Sequence, residues 1–229
     1  MQAEITERIL EIRERITAAA ARAGRSSEEI TLVGVSKRHS AESVRAAWAA
    51  GVREFGENYV QEAREKCAQL SDLPELRWHL IGSLQSNKAR LAVSLFEMVQ
   101  TVDRPSLAQA LSQEAGRRQK EQSVLVEVNL AGSANRAGVA EAEVLVLCEQ
   151  VVALPNLQLC GLMGMAPLGA DAEAARPHFA RLRQLFETLP ESNRQVLSMG
   201  MSSDFETAIA EGATLVRIGT ALFGQRPAM

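Results

Sequence analysis

Lys37 follows a short β-branched segment, and its residue type and position could support covalent chemistry with a carbonyl compound. Val33, Val35 and Lys37 alternate along residues 30–37, so a β-strand there would place the three side chains on one face. A lysine beside two apolar residues is partly desolvated, which favours its neutral amine. The neutral amine is the form that makes a Schiff base. Position alone favours a simpler interpretation, a lysine that extends its ammonium group to solvent.

Two segments near the carboxyl terminus could bind an anion. The first has a glycine and two serines before a predicted helix: Gly200, Ser202 and Ser203. Ser203 and Glu206 also have the spacing of a capping box. The second has the pair that would open a final short helix, Gly219 and Thr220. Free N–H groups at helix starts bind phosphate groups, although helix capping alone is a common reason for such residues.

Short β-branched segments alternate with amphipathic segments along the chain. The first segment is predicted to be a helix that ends at Gly24, because isoleucines recur at helical spacing: Ile5, Ile9, Ile12 and Ile16. Eight predicted strands follow, each succeeded by a helix, over residues 30–37, 54–58, 77–82, 98–103, 123–130, 157–166, 195–201 and 214–219. This alternation predicts an α/β fold, a closed (β/α)8 TIM-type barrel, with an open doubly wound sheet as the alternative. We expect one domain over residues 1–229, with an N-terminal helix over 1–24 and the barrel over 30–229.

Composition excludes several function classes. The net charge is −3 and aromatic residues are 4% of the 229 residues, so neither nucleic acid nor a membrane is an expected partner. The three cysteines, Cys67, Cys148 and Cys160, are widely spaced, which is typical of a cytoplasmic protein. No signal peptide, membrane span, metal-ligand spacing, GxSxG or Walker motif is found in the sequence.

Barrel topology would bring the two kinds of candidate residue together. Phosphate groups are usually held after strands 7 and 8 of such barrels, where the two anion-binding segments lie. Strand 8 of a closed barrel pairs with strand 1, so Lys37 would lie beside them. A Schiff-base lysine next to a phosphate site suits pyridoxal 5′-phosphate (PLP). It would also suit an aldolase that binds a phosphorylated sugar, and the spacing does not separate these two interpretations.

Other strand-end residues have alternative interpretations. Arg217 is predicted to face the barrel interior, where it would bind a phosphate, a ring nitrogen or a carboxylate such as Glu57 or Glu127. Asn58 could bind a ligand or cap the next helix. A single histidine within a strand, His79, is more often a hydrogen-bonded core residue than a catalyst. We expect two methionines in the core and two histidines on the surface: Met163, Met165, His39 and His178.

Seven short motifs give the sequence a specific resemblance to a known family. From about residue 30 to its end the chain resembles the pyridoxal phosphate homeostasis protein family in Val35–Lys37, Phe55–Tyr59, Trp78–Gly82, Gln85–Lys88, Gly161–Met165, Ser198–Ser202 and Arg217–Gly224. The resemblance implies a barrel like the N-terminal domain of fold-type III PLP enzymes such as bacterial alanine racemase. It implies that Lys37 carries PLP as an internal aldimine. The cofactor-binding residues expected besides Lys37 are Asn58, His79, Met201, Ser202, Ser203, Arg217, Gly219 and Thr220.

One loop departs from the family pattern. After strand 5 the family often has an acidic residue and a lysine where this chain has Ser133 and Arg136. Arginine keeps the positive charge but is a poor acceptor of PLP by aldimine exchange. A transfer role of this loop is therefore not expected here.

The resemblance implies a protein that holds PLP in vitamin B6 and amino/keto acid homeostasis, without catalytic turnover. A racemase needs an acid/base group on each face of the cofactor. In the racemases that the chain resembles, a tyrosine from a further β domain supplies the second group, and this chain ends at Met229 with Tyr59 as its one tyrosine. The alternatives are a weak PLP-dependent racemase or transaminase, or a PLP-free aldolase. PLP-dependent apoenzymes are candidate transient partners, and we expect a monomer.

Overall fold

The computed structural model describes residues 2–132, 136–167, 169 and 171–225. Eight strands and nine α-helices alternate along these residues. The strands are β1 (Thr31–Val35), β2 (Glu54–Glu57), β3 (Arg77–Leu80), β4 (Met98–Val102), β5 (Gln122–Val128), β6 (Leu157–Gly164), β7 (Val196–Ser198) and β8 (Leu215–Ile218). The helices are α1 (Gln2–Arg22), α2 (Ala41–Ala49), α3 (Val60–Gln69), α4 (Ala89–Leu95), α5 (Pro105–Arg117), α6 (Val144–Val152), α7 (Ala172–Glu187), α8 (Phe205–Ala210) and α9 (Thr220–Phe223).

The strands form a closed parallel barrel in chain order, which confirms the predicted barrel and excludes the open sheet. Closure is made between β1 and β8, where Val33 pairs with Arg217 and Gly34 with Ile218. Every strand ends a little earlier than predicted; β1 ends at Val35, for example. The polar residues that follow the strands therefore lie in the βα loops, and the candidate site is built from these loops.

The main hydrophobic core lies between the barrel and the surrounding helices. Outward-facing strand residues such as Phe55, Leu80 and Val126 are fully buried in it. A small second apolar cluster uses inward-facing residues instead, because Leu125 alternates with the outward-facing neighbours on β5; it comprises Leu125, Cys160 and Met163. Met163 therefore lies in the core, as predicted.

Helix α1 packs across the outside of the barrel against α2, α8 and α9. Its buried face consists of the predicted isoleucines, together with two alanines at the same spacing: Ile5, Ile9, Ile12, Ile16, Ala19 and Ala20. The helix gives way to a turn at Gly24, whose φ of 68° is unfavourable for a side chain. Among the described residues, no helix has both the length and the apolarity needed to cross a bilayer.

A chain of hydrogen bonds crosses the barrel interior from the amino ends of the strands to the carboxyl ends. Glu54 Oε2 lies 2.7 Å from His79 Nε2, and His79 Nδ1 lies 2.9 Å from Gln100 Nε2. Ser198 Oγ then donates to Gln100 Oε1 over 2.7 Å and accepts from Arg217 Nη1 over 2.5 Å. Because an amide nitrogen only donates, His79 Nδ1 accepts and Nε2 carries the proton that binds Glu54. The network holds Arg217 at the carboxyl-terminal end of the barrel interior.

Candidate cofactor-binding site at the carboxyl ends of the strands

A cavity of about 480 Å³ opens at the carboxyl ends of the strands. Its volume is in the range of small-molecule sites. Loops from several βα units line it, and eight predicted site residues are among them: Lys37, Asn58, Met201, Ser202, Ser203, Arg217, Gly219 and Thr220. Barrel closure thus brings together residues that are far apart in the sequence.

The register of β1 and β8 places Lys37 beside the loop that begins α9. Val33 pairs with Arg217, and the position of a Cβ on Gly219 would lie 3.4 Å from Val35 Cβ. Lys37 is two residues beyond Val35, and its side chain is half-buried in the cavity wall. The expected proximity of Lys37 to the segment that contains Gly219 and Thr220 is therefore confirmed.

The two serines after β7 do not cap the following helix, so the predicted capping box is wrong. Asp204 is the residue that precedes α8, and it binds backward, accepting from Met201 N over 2.6 Å. Glu206 instead pairs with Arg15 over 3.1 Å. Ser202 Oγ accepts from Ala221 N over 3.2 Å, and this bond ties the β7 loop to the start of α9.

Gly200 allows the β7 loop to approach α8. Its φ is 93°, and a Cβ there would lie 2.6 Å from Ala208 Cβ and 2.9 Å from Phe205 Cα. A side chain would therefore be both strained and in contact with α8. The loop can lie under the cavity because this residue is glycine.

Arg217 faces the cavity from the barrel interior and is bound there by neutral groups. Nη1 donates to Ser198 Oγ over 2.5 Å and Nη2 to Gly164 O over 2.9 Å. Burial lowers the pKa of Arg217 to about 10, so the guanidinium stays charged at neutral pH. A Glu57 partner is excluded, because Glu57 binds Lys66 in the layer between β2 and α3. Within the described residues Arg217 makes no ion pair, and Glu127 acts on it only through its charge.

Glu127 is a cavity residue that sequence reasoning considered only as a partner of Arg217. It is 3% exposed, and its Oε2 has no hydrogen-bond partner within the described residues. Burial, reinforced by the charge of Asp103, raises the pKa of Glu127 to about 7. The signal in the sequence was its inward parity with Leu125 at the end of β5.

Asn58 lines the cavity and does not cap α3. Tyr59 precedes that helix, without a side-chain capping bond, and it is 54% exposed. Asn58 Oδ1 is buried and has no hydrogen-bond partner within the described residues. A buried amide oxygen without a partner is unfavourable, so Asn58 has capacity to bind a ligand.

His79 has the hydrogen-bonded core place that its position within a strand favours, and not the place beside the cofactor that was also expected of it, whereas His39 lies in the cavity. His79 is buried in the interior chain to Glu54 and Gln100 and is not among the residues that line the cavity. His39, which we expected on the surface, lines the cavity and stacks on Phe223 with ring centroids 5.0 Å apart. Met165 also lines the cavity rather than the core and is 36% exposed. His178 is half-buried, with Nδ1 3.1 Å from Leu130 O.

The loop after β5 lies beside the site. Arg136 lines an adjoining cavity of about 430 Å³ that shares Glu127, Met165 and Met201 with the first. Arg136 donates to Ala166 O over 3.3 Å. Ser133, the other departure from the family pattern, lies outside the described residues.

Comparisons with known proteins agree with this fold and identify its family. Residues 10–227 match the family model "Alanine racemase, N-terminal domain". The "Pyridoxal phosphate homeostasis protein" of Pseudomonas aeruginosa is 48% identical over 222 residues, which cover 97% of this chain and 96% of that protein. The structure of PipY from Synechococcus elongatus, solved with PLP bound, matches with a TM-score of 0.84 and a sequence identity of 42%. The match covers 96% of this chain and 100% of the PipY chain.

A more distant likeness concerns the fold alone. The histidine racemase of Leuconostoc mesenteroides has a TM-score of 0.71 at 19% identity, and 98% of this chain matches 58% of that protein. The barrel is thus the shared part of two otherwise different proteins. By its family model and by its identity to curated relatives over nearly its whole length, this chain belongs to the pyridoxal phosphate homeostasis protein family, whose barrel is that of the alanine racemase N-terminal domain.

Proposed function

We propose that this protein binds PLP through a reversible Schiff base on Lys37 and holds it for vitamin B6 and amino/keto acid homeostasis, without turning over a substrate. One observation carries the proposal: Lys37 shares a cavity with the loops that follow β7 and β8. The relatives support it, since one is named for PLP homeostasis and another was solved with PLP. When bound, PLP supplies an aldehyde that a primary amine can capture reversibly.

The loops after β7 and β8 fit the phosphate end of the cofactor. Ser202, Ser203, Gly219 and Thr220 all line the cavity. The N–H groups of Ser202, Ser203 and Thr220 donate no hydrogen bond to a residue that the structure describes. Main-chain donors of this kind bind phosphate oxygens. We assign the phosphate to these residues, with Met201 in contact beside them.

Two further residues of the cavity fit the ring of the cofactor. Arg217 would donate to the pyridine nitrogen, and Asn58, with its buried Oδ1, would bind a polar ring substituent. A permanently charged donor leaves the ring nitrogen without a proton of its own. Such a ring withdraws electrons weakly, which favours holding the cofactor over reacting amino acids on it.

A weak racemase or transaminase is the second candidate, because an imidazole and a carboxyl group line the cavity together with Lys37. His39 and Glu127 could each exchange a proton there, and the pKa of Glu127 is raised to about 7 by burial. Incubation of the PLP-loaded protein with amino acids in D2O separates the two functions. Exchange of the Cα hydrogen at about 10 s⁻¹, a typical enzymatic rate, would overturn the non-catalytic proposal.

The wider role is also a proposal. We place the protein in the cytoplasm, in keeping with three unpaired cysteines whose thiol pKa values are raised by burial. We propose that it acts as a monomer and releases PLP to PLP-dependent apoenzymes. Mixing the loaded protein with an apoenzyme, against the same concentration of free PLP, would measure the transfer.

The first prediction is that Lys37→Ala abolishes covalent PLP while the fold is retained. The chain has only four lysines, so peptide mapping after borohydride reduction locates the adduct without ambiguity. We expect a yellow absorption band that reduction removes and a pyridoxyl group on the Lys37 peptide. Lys88→Ala is the control and should leave the band unchanged.

Two results would contradict this assignment. An undiminished band in Lys37→Ala would show that another group holds the cofactor. A wild-type protein that remains colourless with PLP, but that borohydride links to a sugar phosphate, would favour the PLP-free aldolase.

A further inference from the structure

A buried ionic cluster lies behind Lys37, on the side of β1 and β2 that faces α3. It consists of Ser36, Glu57, Glu62 and Lys66, and none of these residues lines the cavity. Lys66 is 5% exposed and Glu57 is fully buried. Lys66 is fully hydrogen-bonded, whereas Glu57 bonds through Oε1 alone and its buried Oε2 has no hydrogen-bond partner within the described residues.

Lys66 uses its ammonium group for three bonds. Nζ donates to Ser36 O over 2.6 Å, to Glu57 Oε1 over 2.6 Å and to Glu62 Oε1 over 2.8 Å. An ammonium group has three N–H donors, so its position is fully determined by these acceptors. Lys66 therefore connects α3 to the backbone of the residue that precedes Lys37.

The same carboxylates hold both chain neighbours of Lys37. Ser36 Oγ donates to Glu57 Oε1 over 2.6 Å, and Ser36 N donates to Gly56 O over 3.0 Å. On the other side, Arg38 N donates to Glu62 Oε1 over 2.5 Å. The backbone that carries Lys37 is thus fixed immediately before and immediately after it.

The conformation that this cluster holds is an unfavourable one. Arg38 has a φ of 63°, in the left-handed region that side chains other than glycine rarely adopt. Such conformations persist where the surroundings determine them, and they concentrate at functional sites. The N–H of Arg38 is the group that Glu62 accepts, so the cluster stabilises the turn at Lys37.

Stabilisation of the fold is a weak explanation for a buried ionic cluster. A buried ion pair is often no more stabilising than apolar residues of similar volume, whereas its geometry can specify one conformation. We propose that Lys66, together with Glu57 and Glu62, is a positioning residue that orients Lys37 toward the carbonyl group it captures. The proposal rests on the proposed function of Lys37 and adds the residues that make its amine reactive in place.

The test compares two ligands on the full chain. PLP requires both the phosphate site and the Lys37 amine, whereas pyridoxine 5′-phosphate has no aldehyde and uses the phosphate and ring sites alone. We expect Lys66→Met to slow the capture of PLP, followed by absorbance, by about ten- to a hundredfold. Its affinity for pyridoxine 5′-phosphate should stay within about twofold of wild type, because the loops after β7 and β8 are untouched.

Two further variants keep the test decisive. Glu62→Gln replaces the carboxylate that accepts from Arg38 N and Lys66 Nζ by a neutral amide, at a side chain that is 24% exposed. The variant should fold, and because neutral acceptors bind more weakly it should slow PLP capture in the same direction. Arg25→Met is the control, since it removes a half-buried cation that donates to Ile209 O and Ala213 O, before β8. It should lower the melting temperature without slowing PLP capture.

The outcomes separate the two proposals. If wild-type protein does not capture PLP, the proposed function fails. If wild type captures PLP but Lys66→Met and Glu62→Gln capture it at the wild-type rate, the positioning role fails. If the folded variants lose binding of PLP and of pyridoxine 5′-phosphate equally, the positioning role also fails, because general damage to the barrel would explain both losses. If Lys66→Met does not fold, Glu62→Gln alone decides.

Discussion

The protonation of one cavity residue, Glu127, should make the free energy of unfolding depend on pH. Its carboxyl group is buried, and burial raises its pKa from 4.5 to about 7. The folded protein therefore keeps a proton on this group that the unfolded chain releases above about pH 4.5. Where the folded state binds more protons than the unfolded state, the free energy of unfolding falls as pH rises.

We predict that Glu127→Gln removes this pH dependence. As the pH rises from 4.5 to 7, Glu127 should lower the free energy of unfolding of the wild-type protein by about 3 kcal/mol. Each unit of difference between the folded and unfolded pKa corresponds to about 1.4 kcal/mol. The glutamine variant should thus gain stability relative to wild type at pH 8 but not at pH 4. Urea unfolding of both proteins at the two pH values measures the difference. The same stability difference at both pH values would contradict the role of burial.

The loop after β3 lies so close to the loop after β2 that the residue at the contact, Gly82, has no room for a side chain. A Cβ on Gly82 would lie 2.4 Å from Asn58 O and 2.7 Å from Asn58 Cα, and these are main-chain atoms that cannot rotate away. The glycine therefore determines where Asn58 enters the cavity. At the scale of the element, the short turn after β3 is part of the site.

We predict that Gly82→Ala weakens PLP binding by displacing Asn58, by about tenfold in the dissociation constant, because one hydrogen bond contributes about 1.4 kcal/mol. Absorbance titration measures the change. Gly34→Ala is the matched control, since a Cβ at Gly34 would make ordinary contacts of 3.5 Å with Leu222 and Phe55. Unchanged affinity in Gly82→Ala would show that the loop moves without affecting Asn58.

The whole molecule separates its stabilising core from its site. The main core lies between barrel and helices, whereas the cavity lies at one end of the barrel. Helix α1 illustrates the separation, because it packs outside the barrel against α2, α8 and α9. A loss of packing there should lower stability without altering the cavity.

We predict that Ile9→Ala lowers the free energy of unfolding by about 2–5 kcal/mol, since a fully buried side chain leaves a cavity behind. The dissociation constant for PLP should not change. Leu10→Ala, on the exposed face of the same helix at 56% exposure, is the control and should change stability by less than about 0.5 kcal/mol. Urea unfolding with a PLP titration tests both statements, and a large loss of affinity in Ile9→Ala would contradict the separation.

Local patterns in the sequence were sufficient for the barrel and for much of the cavity. Strand alternation and helical spacing depend on neighbouring residues, so they predicted the eight βα units, the helix over Ile5–Ile16 and the inward direction of Arg217. The closed topology then required β8 to lie beside β1, which placed Lys37 next to Thr220. The ends of the strands were less accurate, because polar loop residues have no strong local preference.

Tertiary structure alone decided which polar groups bind each other. Lys66 binds Ser36 across 30 residues, and Ser198 binds Gln100 across 98. No local spacing marks such pairs, since they depend on the packing of α3 on β2 and on the inward parity of distant strands. The same reason explains why Glu57 faces Lys66 rather than Arg217, and why His39 lines the cavity that we had expected His79 to reach. The residue types indicated the chemistry, whereas the closure of the barrel determined which side chains lie together in one cavity.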